Sequence, residues 1–494
     1  MFYIGFDIGS SSIKASLVDA KTAKAISTIQ EPSEEMQIIS KQMHWAEQDP
    51  NLWWQYVCKA SKRLLKENKL TSKQIKGIGI AYQMHGLVTV DDKGEAIRNS
   101  IIWCDSRAVT IGEAAFEQIG ETNCMQHLLN SPANFTASKL AWVKENEPEH
   151  YAKIHKFMLP GDFIAYKFSG DINTTISGLS EGILWDFKNE EPAKLVLDHY
   201  GIESALVPEI VDTFSIQSRV SEKGASESGL QKGTPILYRA GDQPNNALSL
   251  NVLNPGEVAA TGGTSGVLYA ITDNLTSTEG IKLNNFAHVN HTTTTPRIGK
   301  LLCINGAGIQ YRWLKDILNL SENSYEGMNS HASEVPIGAD DLQIIPFGNG
   351  AERMFDSKTI GTHISNINLN KHNQSHILRA ALEGIAFAFV YGMEILKNDN
   401  TTINLIRTAN DNLFRSAIFS NTVATLIGQE IELYNTTGAV GAARAAGRAD
   451  KAFADFGTVV ANNDYLKSFE PNKERTAYTE AYERWKTTLH NILN

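Results

Sequence analysis

The sequence predicts an α/β protein made of two similar domains that face each other across a central cleft. Three observations carry that expectation. Strands alternate with helical stretches along the chain, the pattern of α/β domains. A strand–Gly/Ser turn–strand unit occurs at residues 7–12 and again at 261–266, so each half opens on the same device. Such a repeat reads as an internal duplication with a period far too long for a solenoid. The 494 residues allow two or three domains at one per ~150 residues, and the duplicated turn reduces these to two large ones. Their expected limits are 1–247 and 248–494, with the Asn-Pro-Gly turn of residues 251–256 as the seam.

Taken in order, residues 2–7 and Ile13–Asp19 form a hairpin around Ile8-Gly9-Ser10-Ser11-Ser12. Lys59, Lys62, Arg63, Lys66, Lys69, Lys73 and Lys76 follow, with Leu64 and Leu65 at helical spacing; this is a solvated helix face rather than a basic groove. Ile75–Tyr82 is an apolar strand ending at Gln83-Met84-His85-Gly86, and Val88–Val90 and residues 101–103 continue the strand rhythm. Residues 112–166 read as mostly helical, with breaks at Pro132, Pro148 and Pro160. A strand at 234–242 leads to a helix near Pro244. The second hairpin pairs 258–261 with 267–272 around Gly262-Gly263-Thr264-Ser265-Gly266. Helices are expected at 308–318, 375–396, 413–426 and from Gly438, a strand at 403–407, and an amphipathic helix at 477–493 that packs on the core.

Composition excludes several classes. Hydrophobic residues make up 42% and charged residues 20%, which suits a large globular core and not a disordered, collagen-like or disulfide-stapled chain. The net charge of 45 − 55 = −10 lacks the basic face that phosphate neutralisation in nucleic acids needs. Cys58, Cys104, Cys124 and Cys303 lie far apart with no C-x-x-C pair, which fits a reducing compartment and no zinc site. The N-terminus has no basic segment and carries Asp7 inside its apolar stretch, so no leader is expected. The most apolar helix candidate, residues 385–396, is too short to span a bilayer and is flanked by Glu383 and Lys397. The expected location is the cytoplasm.

Two Gly/Ser/Thr turns facing one another make a phosphate clamp, because glycine admits close backbone approach and successive N–H groups point at anionic oxygens. The clamp residues are Gly9, Ser10 and Ser11 in one half and Gly263, Thr264 and Ser265 in the other, with Lys14 as a local cation. Neither turn matches GxxxxGK[ST] or leads into a helix, so a nucleotide would be held by hairpins. Asp7 ends the first strand, where a carboxylate can hold Mg²⁺ against phosphates or serve as an Asx turn. Asp242 stands between a strand and a helix, suited to taking a proton from a substrate hydroxyl or to capping the helix. His85 follows a strand end, where ligands gather; it either bonds a polyol or is a buried structural histidine. His372 and His376 lie four apart with no acidic third ligand and read as a surface helix start. His288 and His291 read as loop, and Trp53, Trp54 and the aromatics of the last helix as core.

Together these residues resemble the FGGY carbohydrate kinase family, which has the two-domain ribonuclease H-like fold shared by actin, hexokinase and the 70-kilodalton chaperones. The resemblance runs from Asp7 to Gly441-Ala-Ala-Arg444. Gln83-Met84-His85-Gly86, Trp45-Ala-Glu-Gln-Asp-Pro50 and Ile102-Trp103-Cys-Asp105-Ser-Arg107 are most similar to the xylulose-phosphorylating branch. The resemblance implies ATP and Mg²⁺ as cofactors, a small sugar as acceptor, transfer to the 5-hydroxyl of D-xylulose, and a homodimer as assembly. It makes Asp242 the base, with Asp7 as its catalytic partner and both near the metal. It gives Met84, His85, Trp103, Asp105 and Gln243 to the sugar. Trp313, Thr408, Ala409 and Asn412 join the two turns at the nucleotide, with sugar and phosphate in the first domain and nucleotide in the second. Two departures stand out. Ile406-Arg407-Thr408-Ala409-Asn410-Asp411 replaces the family's Gly-Gly-Gly-Ala stretch, so side chains stand where backbone faces the nucleoside. Gln243 follows Asp242 as in glycerol kinases, where the xylulose branch often has Asn. Other acceptors (ribulose, another ketose, glycerol) stay open, as do an actin-like ATPase and a non-catalytic sugar sensor.

Overall fold

The computed structural model describes residues 1–318, 324–410 and 413–494. The first sheet has six strands in the order Phe214–Arg219, Pro235–Gly241, Ile75–Tyr82, Phe2–Ile8, Ile13–Asp19, Ala25–Glu31. The last three form an antiparallel meander, and Ile75–Tyr82 and Pro235–Gly241 run parallel to Phe2–Ile8. The second sheet has seven strands in the order Asn284–Ala287, Ile298–Ile304, Gly266–Thr272, Glu257–Gly262, Leu405–Ala409, Ile431–Tyr434, Tyr465–Phe469. Its hairpin Glu257–Gly262 with Gly266–Thr272 is again extended antiparallel on one side and by two parallel strands on the other. The repeat expected from two turns thus extends to five strands in each sheet, plus an antiparallel edge strand.

Between the sheets lie two helices that begin where a strand ends, Asp242–Ser249 and Gly438–Ala449. The second is built of small residues, and its backbone presses on the first sheet so closely that only glycine fits opposite. A Cβ on Gly5 would lie 2.0 Å from the Ala439 carbonyl oxygen, and one on Gly79 would lie 1.9 Å from that of Ala442. Gly441 in turn lies against Ser249 and Asn245 of the other helix. The helix Gln374–Asn398 is buried over most of its length in the largest apolar cluster and covers the second sheet. The C-terminal helix Arg475–Leu493 joins that cluster through Tyr482, Trp485 and Leu489. Trp53 and Trp54 are buried on the helix Pro50–Glu67, as expected.

Several boundaries differ from expectation for local reasons. Pro148 and Pro160 open helices, Pro148–Tyr151 and Pro160–Ser169, because a first-turn residue needs no N–H. The helix near Pro244 begins two residues earlier, at Asp242. The strand expected at 403–407 runs from Leu405 to Ala409, since parallel pairing starts at Glu257 opposite Leu405. The helix at 413–426 is a single tight turn, Leu413–Arg415, followed by Ala417–Ile427 with Ser416 as its cap. Of the basic segment, Lys59, Lys62, Arg63 and Lys66 lie on the helix Pro50–Glu67, partly tied down by Glu31, which pairs with Lys59 and Arg63, whereas Lys69 follows the helix, Lys73 lies in the tight turn Ser72–Gln74 and Lys76 on the strand Ile75–Tyr82. No helix among the described residues is long and apolar enough to cross a membrane.

Candidate active site

Strand ends build the cleft. Phe2–Ile8, Ile75–Tyr82 and Pro235–Gly241 run side by side and deliver Asp7, Met84-His85 and Asp242 at one edge of the first sheet. Asp242 is the first residue of its helix, and burial followed by the nearby Asp7 carboxylate pushes its pKa up to about 7. Gln243 supplies backbone and side-chain donors that oppose the shift. Asp7 is likewise raised by burial, with Lys14 across the hairpin as the opposing cation. Its carboxylate lies against Gly438, at the start of the helix Gly438–Ala449. The second turn also meets a helix start. Gly308 N–H donates to the Gly263 carbonyl at 3.1 Å and Ile309 N–H to that of Thr264 at 3.0 Å. Neither turn leads into a helix in sequence, yet each half's turn region abuts a helix N-terminus from elsewhere in the chain.

Around the expected sugar residues the packing is tight. His85 has a left-handed backbone (φ 62°), and its Nδ1 lies 2.9 Å from the Glu181 carbonyl oxygen. Its ring meets Phe135 edge-on with centroids 4.6 Å apart and leans on Phe286 at 5.3 Å. Burial, then the charge of Lys139, push the imidazole down to about 3, so it is neutral. Met84 is buried beneath Gly241, where a Cβ would lie 2.6 Å from its Cγ. Trp103 is 54% exposed and its indole N–H reaches Ser10 Oγ at 3.3 Å, linking the expected sugar side to the phosphate turn. Asp105 does not open onto the cleft. It is 0% exposed, accepting from the Ala46 N–H and from the Arg107 backbone and guanidinium, so it acts through the scaffold.

A cavity adjoins the second turn, lined by Gly263, Thr264, Gly308, Arg312, Tyr325 and Ser416 among others. Trp313 lines a neighbouring cavity with Pro346 and Ile364 on another face of the same helix, so it stands outside the cavity that holds Gly263 and Thr264. Thr408 is fully buried with its hydroxyl on the Ala409 carbonyl, and neither lines the cavity beside Gly263 and Thr264. Arg407 turns away to Glu432 at 2.7 Å and to the Asn251 carbonyl at 2.6 Å. Asn412 and Asp411 lie outside the described residues.

Sequence reasoning missed four groups. Glu181 is fully buried with its Oε2 2.3 Å from where a Gly241 Cβ would stand, and burial, then Asp242, raise its pKa well above the usual carboxylate range. Lys139 is the cation within the buried stretch 136–143 of the helix Thr136–Asn146; an ammonium in so apolar a run was the one signal available. Arg353, from the second half, donates from Nε to the Ile281 carbonyl and is felt electrostatically by both Cys303 and His85. Glu352 beside it is 0% exposed, holds the Asn305 and Gly306 N–H groups at 3.1 and 2.9 Å, and is pushed up to about 7 by burial. His372 and His376 contact Asp340, by its carbonyl at 3.1 Å and its carboxylate at 3.2 Å, at a helix start as expected. His288 is 1% exposed, between Tyr269 and the Val252 carbonyl.

Among the described residues, no three His, Cys, Asp or Glu side chains gather into a metal cage. Two half-buried carboxylates, Asp7 and Asp242, the first of which raises the pKa of the second, fit Mg²⁺, which is commonly held by one or two carboxylates plus substrate phosphates and water.

Residues 2–249 match the N-terminal domain of the FGGY family of carbohydrate kinases. The xylulose kinase of Staphylococcus xylosus is 26% identical over 98% of this chain and 99% of its own. Among solved structures, the xylulose kinase of Rhodospirillum rubrum superposes with a TM-score of 0.89 at 23% identity over 100% of both chains. The ADP-bound glycerol kinase of Plasmodium falciparum gives 0.88 at 19% identity, over 100% of this chain and 98% of that one. The fold is that of the actin- and hexokinase-like ATPases. The chain belongs to the FGGY family of carbohydrate kinases, enzymes that phosphorylate a sugar with a nucleotide.

Proposed function

We propose that this kinase transfers the γ-phosphoryl group of ATP to the 5-hydroxyl of D-xylulose, with Asp242 as general base. The observation that carries the reading is Asp242, half-buried at the end of a central strand beside Met84, with its pKa pushed up to about 7. Relatives named xylulose kinase support the choice of sugar. The ketose lies along Met84, His85 and Trp103, and its terminal hydroxyl gives its proton to Asp242 as it attacks. Phosphoryl transfer is a loose process in which positioning and charge neutralisation dominate, so the N–H groups of both turns matter as much as the base. Mg²⁺, held by Asp7 with Asp242 nearby, would neutralise charge on the phosphates. The half up to residue 247 supplies the sugar and first phosphate contacts, and the half from 248 the nucleotide cavity.

Coupled ADP release measured over a panel of ketoses and polyols with several nucleotides is the test. D-Xylulose with ATP is expected to give the highest kcat/KM, and a clear preference for glycerol, the acceptor that Gln243 favours, would overturn the sugar assignment. Replacing Asp242 with Ala is expected to lower kcat by about 10²–10⁴-fold with the fold intact. Retention of most of the turnover would remove Asp242 from the role.

A further inference from the structure

We propose that Lys139 is a positioning residue of the sugar pocket, one buried ammonium clamping the His85 and Ile102 carbonyls so that His85 and Trp103 face the substrate together. The proposal rests on the reading of His85 as a sugar contact.

Lys139 is 0% exposed and lies in the first turn of Thr136–Asn146. Its Nζ donates to the His85 carbonyl at 2.8 Å and to the Ile102 carbonyl at 3.0 Å. These carbonyls belong to two separate segments, and each segment carries a residue of the cleft. Two carbonyl oxygens aimed at one buried point repel each other; the Ile102 oxygen also accepts from the Asp105 N–H at 3.2 Å, but an apolar side chain at position 139 would take from the His85 oxygen the donor it has in Lys139. An ammonium on a long stem answers both at once.

The backbone of His85 shows why a clamp is needed. A left-handed conformation in a residue other than glycine persists only where the surroundings over-determine it. Here Lys139 takes the carbonyl while Glu181 accepts from the ring Nδ1, and Phe135, the residue before the same helix, closes on the ring edge. Thr136 adds a contact from its hydroxyl to the Gly86 carbonyl at 3.4 Å. Because Nδ1 faces a carbonyl it carries the proton, which leaves Nε2 as an acceptor for a sugar hydroxyl. The cost of burying the ammonium shows in Lys139 itself, pushed down to about 7 by desolvation, with Asp105 as the main opposing charge and Cys104 and Arg107 also nearby.

The experiment compares Lys139→Met, Lys139→Gln, Lys139→Arg and His85→Ala with the parent enzyme, measuring KM for D-xylulose and for ATP separately, with circular dichroism to establish folding. Lys139→Met is expected to raise the ketose KM about tenfold and leave the ATP KM within twofold. Lys139→Arg, which keeps a cation with donors for both carbonyls, is expected to stay within about threefold for both. Lys139→Gln can still satisfy one carbonyl and carries the test if the Met variant does not fold; about fivefold on the ketose KM is expected. A folded neutral variant with an unchanged ketose KM, or one in which both KM values rise together, overturns the positioning role while a tenfold effect of His85→Ala leaves the sugar site standing. No effect of His85→Ala would overturn the sugar-site reading itself.

Discussion

A base that works near neutrality must sit close to its own pKa, and Asp242, the base proposed here, reaches that point through desolvation and the neighbouring Asp7. Below pH 7, kcat/KM is therefore expected to fall about tenfold per unit as the carboxylate takes up its proton; a profile flat down to pH 5 would contradict this assignment. The same shift has a stability consequence of definite sign. The folded-state pKa of about 7 exceeds the ordinary value of 3.8, so the stabilising contribution is complete at low pH and is lost as pH rises through 7. Asp242→Asn, which cannot ionise, is expected to melt above the parent at pH 8, with the gap narrowing below pH 7 and closing only near pH 3.8, as followed by calorimetry. The positions of Asp7, Met84, His85 and Asp242 were legible because each sits where an apolar strand stops at a turn, a purely local signal. Glu181, Lys139 and Arg353 were not, since nothing near them in sequence marks a cleft and only the fold brings them toward His85. Asp105 was misjudged for the converse reason: its motif looks open, but its partners Ala46 and Arg107 consume the carboxylate.

At the scale of elements, the strands read from the sequence lie within about two residues of their place because apolar runs stop at glycine, serine and proline clusters, whereas Ala25–Glu31, Phe214–Arg219, Asn284–Ala287, Ile298–Ile304, Ile431–Tyr434 and Tyr465–Phe469 went unread. Strand order was not legible, apart from the repeated hairpin. The small-residue run from Gly438 announced a helix made for close contact without saying what it contacts. Its partner is the first sheet, through Gly5 and Gly79. Adding one methyl group there has nowhere to go except into helix backbone. Gly79→Ala is expected to cost about 1–3 kcal/mol or more, the usual range for overpacking, read as a lower denaturant midpoint with an unchanged slope. An unchanged midpoint would mean that this contact is looser than the geometry shows. Arg407 illustrates how far an element can redirect a motif. It occupies a position expected to face the nucleoside, yet the strand turns it toward Glu432, so the replacement of glycine does not crowd the cavity at that point.

On the scale of the molecule, a chain of net charge −10 that takes an anionic nucleotide as proposed needs local attraction, from N–H groups, a few side chains such as Lys14, and a divalent cation. Chelation of divalent ions with EDTA is expected to abolish phosphoryl transfer, and restored Mg²⁺ to return it; full activity in EDTA would exclude the metal role assigned to Asp7. The seating of Gly438–Ala449 on the first sheet also bears on how the protein is made. The face carrying Gly5 and Gly79 emerges from the ribosome early, while the helix that covers it follows about 370 residues later, roughly 20–70 s at ordinary elongation rates. During that interval the early sheet is a nascent chain with an uncovered apolar side, an exposed surface of the kind that chaperones bind. The enzyme's first half is thus the last to be finished.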